Sequence, residues 1–133
     1  MGTSLRKILI VDDEPEFGAA VCRALESTGK YAASMATGGI EGLERARRHP
    51  PDLVLLDIRM PGMDGIAVLK KLKGQAETMA VPVLMLTALT DEQTKQQAAQ
   101  FYNEDYIEKP VSFDVLLAKI EKTLAAHPQR RAA

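Results

Sequence analysis

Five side chains stand out for their chemistry and their places in the sequence: the carboxylates of Asp12, Asp13 and Asp57, the hydroxyl of Thr87 and the ammonium of Lys109. Asp57 closes the apolar run Leu53-Val54-Leu55-Leu56 and precedes a loop broken by Pro61, Gly62 and Gly65. Asp12 and Asp13 close Ile8-Leu9-Ile10-Val11 in the same way, with Glu14 next. A carboxylate at the carboxyl end of a buried parallel strand lies where open α/β sheets bind their ligands. Three carboxylates brought together repel one another unless a cation neutralises them, and a hard divalent ion with oxygen ligands, Mg²⁺ first, meets that need. Once neutralised, such a site lets one aspartate attack a phosphoryl group as a covalent nucleophile. Charge building on the transferred oxygens then calls for donors, which Thr87 and Lys109 offer.

Those residues meet only if the intervening chain delivers them to one rim. Runs of four to six apolar residues at 8–11, 53–56 and 81–86 suit strands covered on both faces. Tyr31–Ala36 and Tyr106-Ile107 are weaker strand candidates. Between them lie helical patterns. Pro15 opens a helix with Phe17, Val21, Ala24 and Leu25 on one face, stopped by Gly29. Gly38 and Gly39 open another carrying Ile40 and Leu43, ending at His49 before two prolines. Asp64 is placed to cap a helix bearing Ile66, Leu69 and Leu72, closed by Gly74.

Thr90-Asp91-Glu92-Gln93 is a capping box for a polar helix from 91 to about 101. Ser112 caps a last helix with the face Phe113, Leu116, Leu117, Ile120 and Leu124, and His127-Pro128 ends it. Alternating strands and helices predict a parallel sheet with helices on both faces. Placing the three strongly apolar strands inside and the two weak ones at the edges, with right-handed crossovers, gives the order 2-1-3-4-5. Strands 1 and 3 are then neighbours at the topological switch point, and Asp12, Asp13 and Asp57 share one crevice.

Composition sets the outer bounds. The chain has 133 residues, 46% hydrophobic and 26% charged, as expected of a single globular domain. A formal net charge of -1 gives no electrostatic argument for a nucleic-acid or anionic-membrane partner. The basic cluster Arg45-Ala46-Arg47-Arg48 reads as a solvated helix end. Cys22 is the only cysteine, which excludes an intramolecular disulfide, and it reads as a small helical filler. His49 and His127 read as exposed loop residues, and Met60 and Met63 as packing residues. With no signal peptide and no long apolar run, a cytoplasmic location is the expectation.

The pair Asp12-Asp13, the stretch L-D-I-R-M-P-G-M-D-G at 56–65, Thr87-Ala88 and Lys109-Pro110 together resemble a response-regulator receiver domain, over residues 6–126. Residues 127–133 read as a tail or the start of a linker. The resemblance implies a flavodoxin-like fold and a role in a two-component phosphorelay. Asp57 would accept a phosphoryl group from a sensor histidine kinase, a phosphotransfer protein or a small phosphodonor. Asp13 and Asp57 would ligate Mg²⁺ directly, Asp12 through water, and Arg59 through its backbone carbonyl. Lys109 would bind a phosphate oxygen and be joined to Pro110 by a cis bond.

Thr87 would move to the phosphoryl group while Tyr106 swings inward, and the fourth helix, fifth strand and fifth helix would carry the signal to a partner protein or output domain. Ala88 counts with Arg59 and Leu89 among the tuning positions. Arg59 and Leu89 occupy the positions that in the family tune phosphoryl loss; a bulky Leu89 beside a long Arg59 predicts slow self-dephosphorylation. The implied protein is a switch that assists its own phosphorylation and dephosphorylation, not an enzyme, with no direct contact to nucleic acid or membrane.

The chain departs from the family where many members carry a small-Gly-small turn: here it reads Phe101-Tyr102-Asn103, which suggests a specialised signalling face. Two other readings compete. A magnesium-dependent phosphohydrolase working through an aspartyl phosphate would want an acid two residues after its nucleophile, where Arg59 stands. A constitutive pseudo-receiver would have lost an acid or the lysine, and all are present.

Overall fold

The computed structural model describes residues 5–87, 105–108 and 111–128. Five strands, β1 (Arg6–Val11), β2 (Tyr31–Ala36), β3 (Leu53–Asp57), β4 (Val83–Thr87) and β5 (Asp105–Glu108), form one parallel sheet. Their order is β2-β1-β3-β4-β5, as the strand hydrophobicity predicts. The helices among the described residues are α1 (Pro15–Ser27), α2 (Gly39–Arg48), α3 (Gly65–Lys73) and α4 (Phe113–Ala126). The polar helix expected from 91 to about 101, the Phe101-Tyr102-Asn103 segment, Ala88, Leu89, Lys109 and Pro110 lie outside the described residues.

Each interior strand carries a continuous run of four apolar residues because each of its faces meets a different pair of helices. Leu9, Val11, Val54, Leu56, Val83 and Met85 pack with Leu43 and Ala46 of α2 and with Ile66, Val68, Leu69 and Leu72 of α3. The alternate residues Ile8, Ile10, Leu53, Leu55, Leu84 and Leu86 pack with Val21 and Leu25 of α1 and with Leu116, Ile120 and Leu124 of α4. A sheet buried on both faces cannot slip its register by one residue without exchanging its two cores.

Local chemistry sets the helix ends. Pro15 begins α1, where its missing N–H is an orphan in any case, and Gly29 follows α1 with a φ of 75°, a conformation that disfavours side chains. The Asp64 carboxylate accepts the Ala67 N–H at 2.9 Å to cap α3, and the Ser112 hydroxyl accepts the Val115 N–H at 3.3 Å to cap α4. Arg45 and Arg48 reach back one turn to Glu41 and Glu44, at 3.6 and 3.8 Å, which makes the basic end of α2 a solvated, internally paired surface. Cys22 packs against the α1–α4 core, and burial pushes its thiol pKa up.

Three expectations need correction. Ile40 lies at the exposed side of α2's first turn, 69% accessible, because Gly39, Gly42, Leu43 and Ala46 form the buried stripe. β4 begins at Val83 and not at Val81: the Val81 N–H is used in a turn to the Thr78 carbonyl, and Pro82 has no N–H to give. His127 is half-buried, its carbonyl accepting Arg6 Nη2 at 2.8 Å. Arg6 also lies 3.6 Å from the Asp52 carboxylate, which in turn accepts the Lys7 N–H at 2.7 Å. The start of β1, the start of β3 and the end of α4 are thereby clamped together.

Leu55 is fully buried, and truncating it leaves a cavity between β3 and the α1–α4 layer. Leu55→Ala is expected to destabilise the domain by about 2–5 kcal/mol in urea unfolding, whereas Ile40→Ala at its exposed site should stay within about 0.5 kcal/mol of the parent.

Candidate functional site

The carboxyl ends of β1 and β3 lie side by side, Val11 opposite Leu56, so the residues just beyond them meet. Asp12 extends the β1 ladder by one bond, its N–H donating to the Ala36 carbonyl at 3.0 Å. Its carboxylate turns back to accept the Glu14 N–H at 2.9 Å, at the start of α1. Asp57 is the last residue of β3 and lies opposite Leu86 of β4. Beyond it, the Ile58 N–H donates to the Leu86 carbonyl at 2.9 Å and the Gly65 N–H donates to the Ile58 carbonyl at 2.7 Å.

One carboxylate oxygen each from Asp12, Asp13 and Asp57 lies within 4.8 Å of the others. Asp12 is 0% and Asp57 4% exposed, while Asp13 is half-buried. Like charges this close repel one another, and the donor set is all oxygen and anionic. It fits a hard divalent cation such as Mg²⁺ and does not fit a soft, thiolate-seeking metal. Asp13 is the most accessible of the three.

The other expected site residues are distributed as follows. Thr87 is the last residue of β4, directly after the partner of Asp57 in the ladder, and Tyr106 lies opposite Met85 in β5. Arg59 is exposed in the loop after β3. Lys109 follows the last residue of β5 but belongs with Ala88, Leu89 and Pro110 outside the described residues. Met60 is buried and Met63 partly so, both against the α2–α3 core, as packing residues.

A parallel 2-1-3-4-5 sheet with acids gathered at its switch point defines a flavodoxin-like α/β protein with an acidic cluster at its rim. The chain belongs to the response regulator receiver domain family, which it matches over residues 8–121. It is similar to the protein PilH of Pseudomonas aeruginosa, 37% identical over 121 residues that cover 91% of this chain and 99% of that protein. It is 38% identical over 118 residues to RpaA of Synechocystis, described as a DNA-binding dual master transcriptional regulator, of which it spans 48% of the length. The chain thus spans about half of that relative, and of some others only about a quarter (26%). A solved receiver domain of a signal transduction histidine kinase from Syntrophus aciditrophicus superposes with a TM-score of 0.86 at 31% identity, covering 96% of each chain.

Thr78, away from the site, escapes a reading by motif, and Gly65 closes the stretch 56–65 without that stretch assigning it a role of its own. Thr78 is fully buried, its hydroxyl donating to the Leu72 carbonyl at 2.6 Å beyond the end of α3; nothing in its sequence neighbourhood marks it. Gly65 packs on the main chain of Asp57. The available signal is its position, since a glycine directly after a helix cap wastes helix propensity unless space requires it.

Mg²⁺ is expected to raise the unfolding midpoint at constant ionic strength. At a hundredfold excess over its Kd the gain is about 2.7 kcal/mol. In Asp13→Asn that gain should largely disappear, and the ion-free protein should be more stable than its parent because one repelling charge is gone. Thermal unfolding with MgCl₂ against NaCl reads both effects.

Proposed function

We propose that Asp57 is the phosphoacceptor of this receiver and that its phosphorylation switches a protein-interaction surface. The observation that supports this best is the convergence of Asp12, Asp13 and Asp57 at the ends of adjacent interior strands. A carboxylate oxygen of Asp57 forms a bond to phosphorus as the bond from phosphorus to the donor's imidazole nitrogen breaks, and the donor leaves with that electron pair. The product is an acyl phosphate on Asp57. Asp13 and Asp57 would hold Mg²⁺ directly, with Asp12 through water and the Arg59 carbonyl completing the set. The bound ion would neutralise charge on the acids and on the incoming phosphoryl oxygens.

Asp12 has a second task in this reading. By accepting the Glu14 N–H it fixes the entry to α1 and holds its own carboxylate in the pocket. Thr87 and Lys109 would donate to the phosphoryl oxygens, Ala88 leaving room beside Thr87, with Pro110 fixing the chain after Lys109. Tyr106 would report the Thr87 movement at the edge strand. The folded unit spans residues 6–126, and its output surface is the segment 91 to about 101 together with β5 and α4. Phe101-Tyr102-Asn103 adapts that face to a particular partner.

Receiver domains are signalling switches, and their partners are kinases and output domains. RpaA, a longer relative, is described as DNA-binding. The expectation of no direct nucleic-acid contact therefore concerns residues 6–126 and not a longer protein that contains them. No helix among the described residues is long and apolar enough to cross a membrane. A cytoplasmic location is the setting in which a kinase donor would be met.

Incubation with acetyl phosphate followed by intact mass measurement tests the assignment. Wild type should gain one phosphoryl group only with Mg²⁺ present, and Asp57→Asn should gain none. Absence of any gain in wild type would favour a constitutive binding module. The same assay, followed in time after donor removal, tests the tuning positions. Arg59→Asn with Leu89→Glu is expected to shorten the phosphoryl lifetime by about tenfold or more, a change of about 1.4 kcal/mol in the barrier.

A further inference from the structure

Gly65 is used for the side chain it lacks. A Cβ built there would lie against the carbonyl oxygen of Asp57, 2.7 Å from the Ile58 Cα and 2.9 Å from the Asp57 carbonyl carbon. These are main-chain atoms, and they cannot turn aside as the end of a flexible side chain would. The Ile58 N–H is tied to the Leu86 carbonyl of β4, so Asp57 is braced from behind. α3 cannot retreat either, because Ile66, Val68 and Leu69 are buried in the α2–α3 core. The backbone of Gly65 is not in the left-handed region, unlike that of Gly62 with its φ of 82°. Space, not torsional freedom, is what demands glycine at this position.

Two hydrogen bonds complete the arrangement. The Gly65 N–H donates to the Ile58 carbonyl at 2.7 Å and closes the loop that follows β3. The Asp64 cap on Ala67 holds the first turn of α3 in place at 2.9 Å. We infer that Gly65, with Asp64 holding the turn it begins, is a positioning residue for phosphoryl transfer: the contact between α3 and the main chain of Asp57 sets where the Asp57 carboxylate sits relative to Asp12 and Asp13. This inference rests on Asp57 being the phosphoacceptor. An added methyl group pushes the Asp57 main chain away from α3 and carries the carboxylate with it. Displacements near 1 Å in a reacting group cost about a hundredfold in rate.

The test compares wild type with Gly65→Ala, Gly62→Ala, Asp64→Ala and Asp64→Ser. It measures the maximal rate and half-saturating concentration for acetyl phosphate at saturating Mg²⁺, and urea stability. Gly62 is the control, because alanine there strains the loop torsion yet meets nothing within 4 Å. Gly65→Ala should lower the maximal rate by about a hundredfold with little change in half-saturation, while Gly62→Ala loses stability but stays within about threefold of the parental rate. A folded Gly65→Ala protein within about threefold of wild type overturns the inference, as does a loss no larger than that of Gly62→Ala at equal stability.

If Gly65→Ala does not fold, the Asp64 pair decides. A slower Asp64→Ala restored by Asp64→Ser, whose hydroxyl also accepts from Ala67, supports the positioning role, and an Asp64→Ala protein at the parental rate overturns it. Failure of wild type itself to accept a phosphoryl group would remove the phosphoacceptor reading and this inference with it. Transfer by wild type alongside an unaffected Gly65→Ala would remove only the inference.

Discussion

Mutual repulsion among three carboxylates is the constraint around which the molecule is arranged. Asp12 and Asp57 are almost wholly withdrawn from water, and neither can withdraw further from the other, because the strands that carry them are locked in register between two apolar layers. Relaxation, the usual answer to like charges in proximity, is denied by the fold. What remains is compensation, by hydrogen-bond donors such as the Glu14 N–H that Asp12 accepts and by a cation. A rim built this way is poised for a ligand that brings its own charge.

The two-sided core explains how so small a domain holds those strands in place. Alternate residues of β1, β3 and β4 serve different helix pairs, so a displacement of any interior strand would disturb both layers at once. Edge strand β2, with small residues at Ala32, Ala33 and Ser34, contributes none of the three clustered acids.

Most of this was legible in the sequence because the decisive signals were local. Runs of Ile, Leu and Val read as strands buried on both faces, and the contrast between strong and weak runs was enough to order the sheet. Asp64, Ser112, Pro15 and Gly29 marked helix ends through chemistry that acts within three or four residues. The convergence of Asp12, Asp13 and Asp57 followed from strand order. What the sequence hid depends on contacts between distant segments. Ile40 looked like a core residue until the glycine-rich stripe of α2 took the buried side. The role of Gly65 depends on a carbonyl group eight residues earlier, and that of Arg6 on one 121 residues later.

The Arg6 clamp has an architectural consequence. It joins residue 6 to residue 127, so the polypeptide enters and leaves the fold at nearly one point. That point lies at the amino end of β1, while the acids lie past its carboxyl end, six residues and about 20 Å away. A fold with its two ends stapled together on the side remote from its reactive rim is a portable cassette. Segments joined at either end would start on the side remote from the rim.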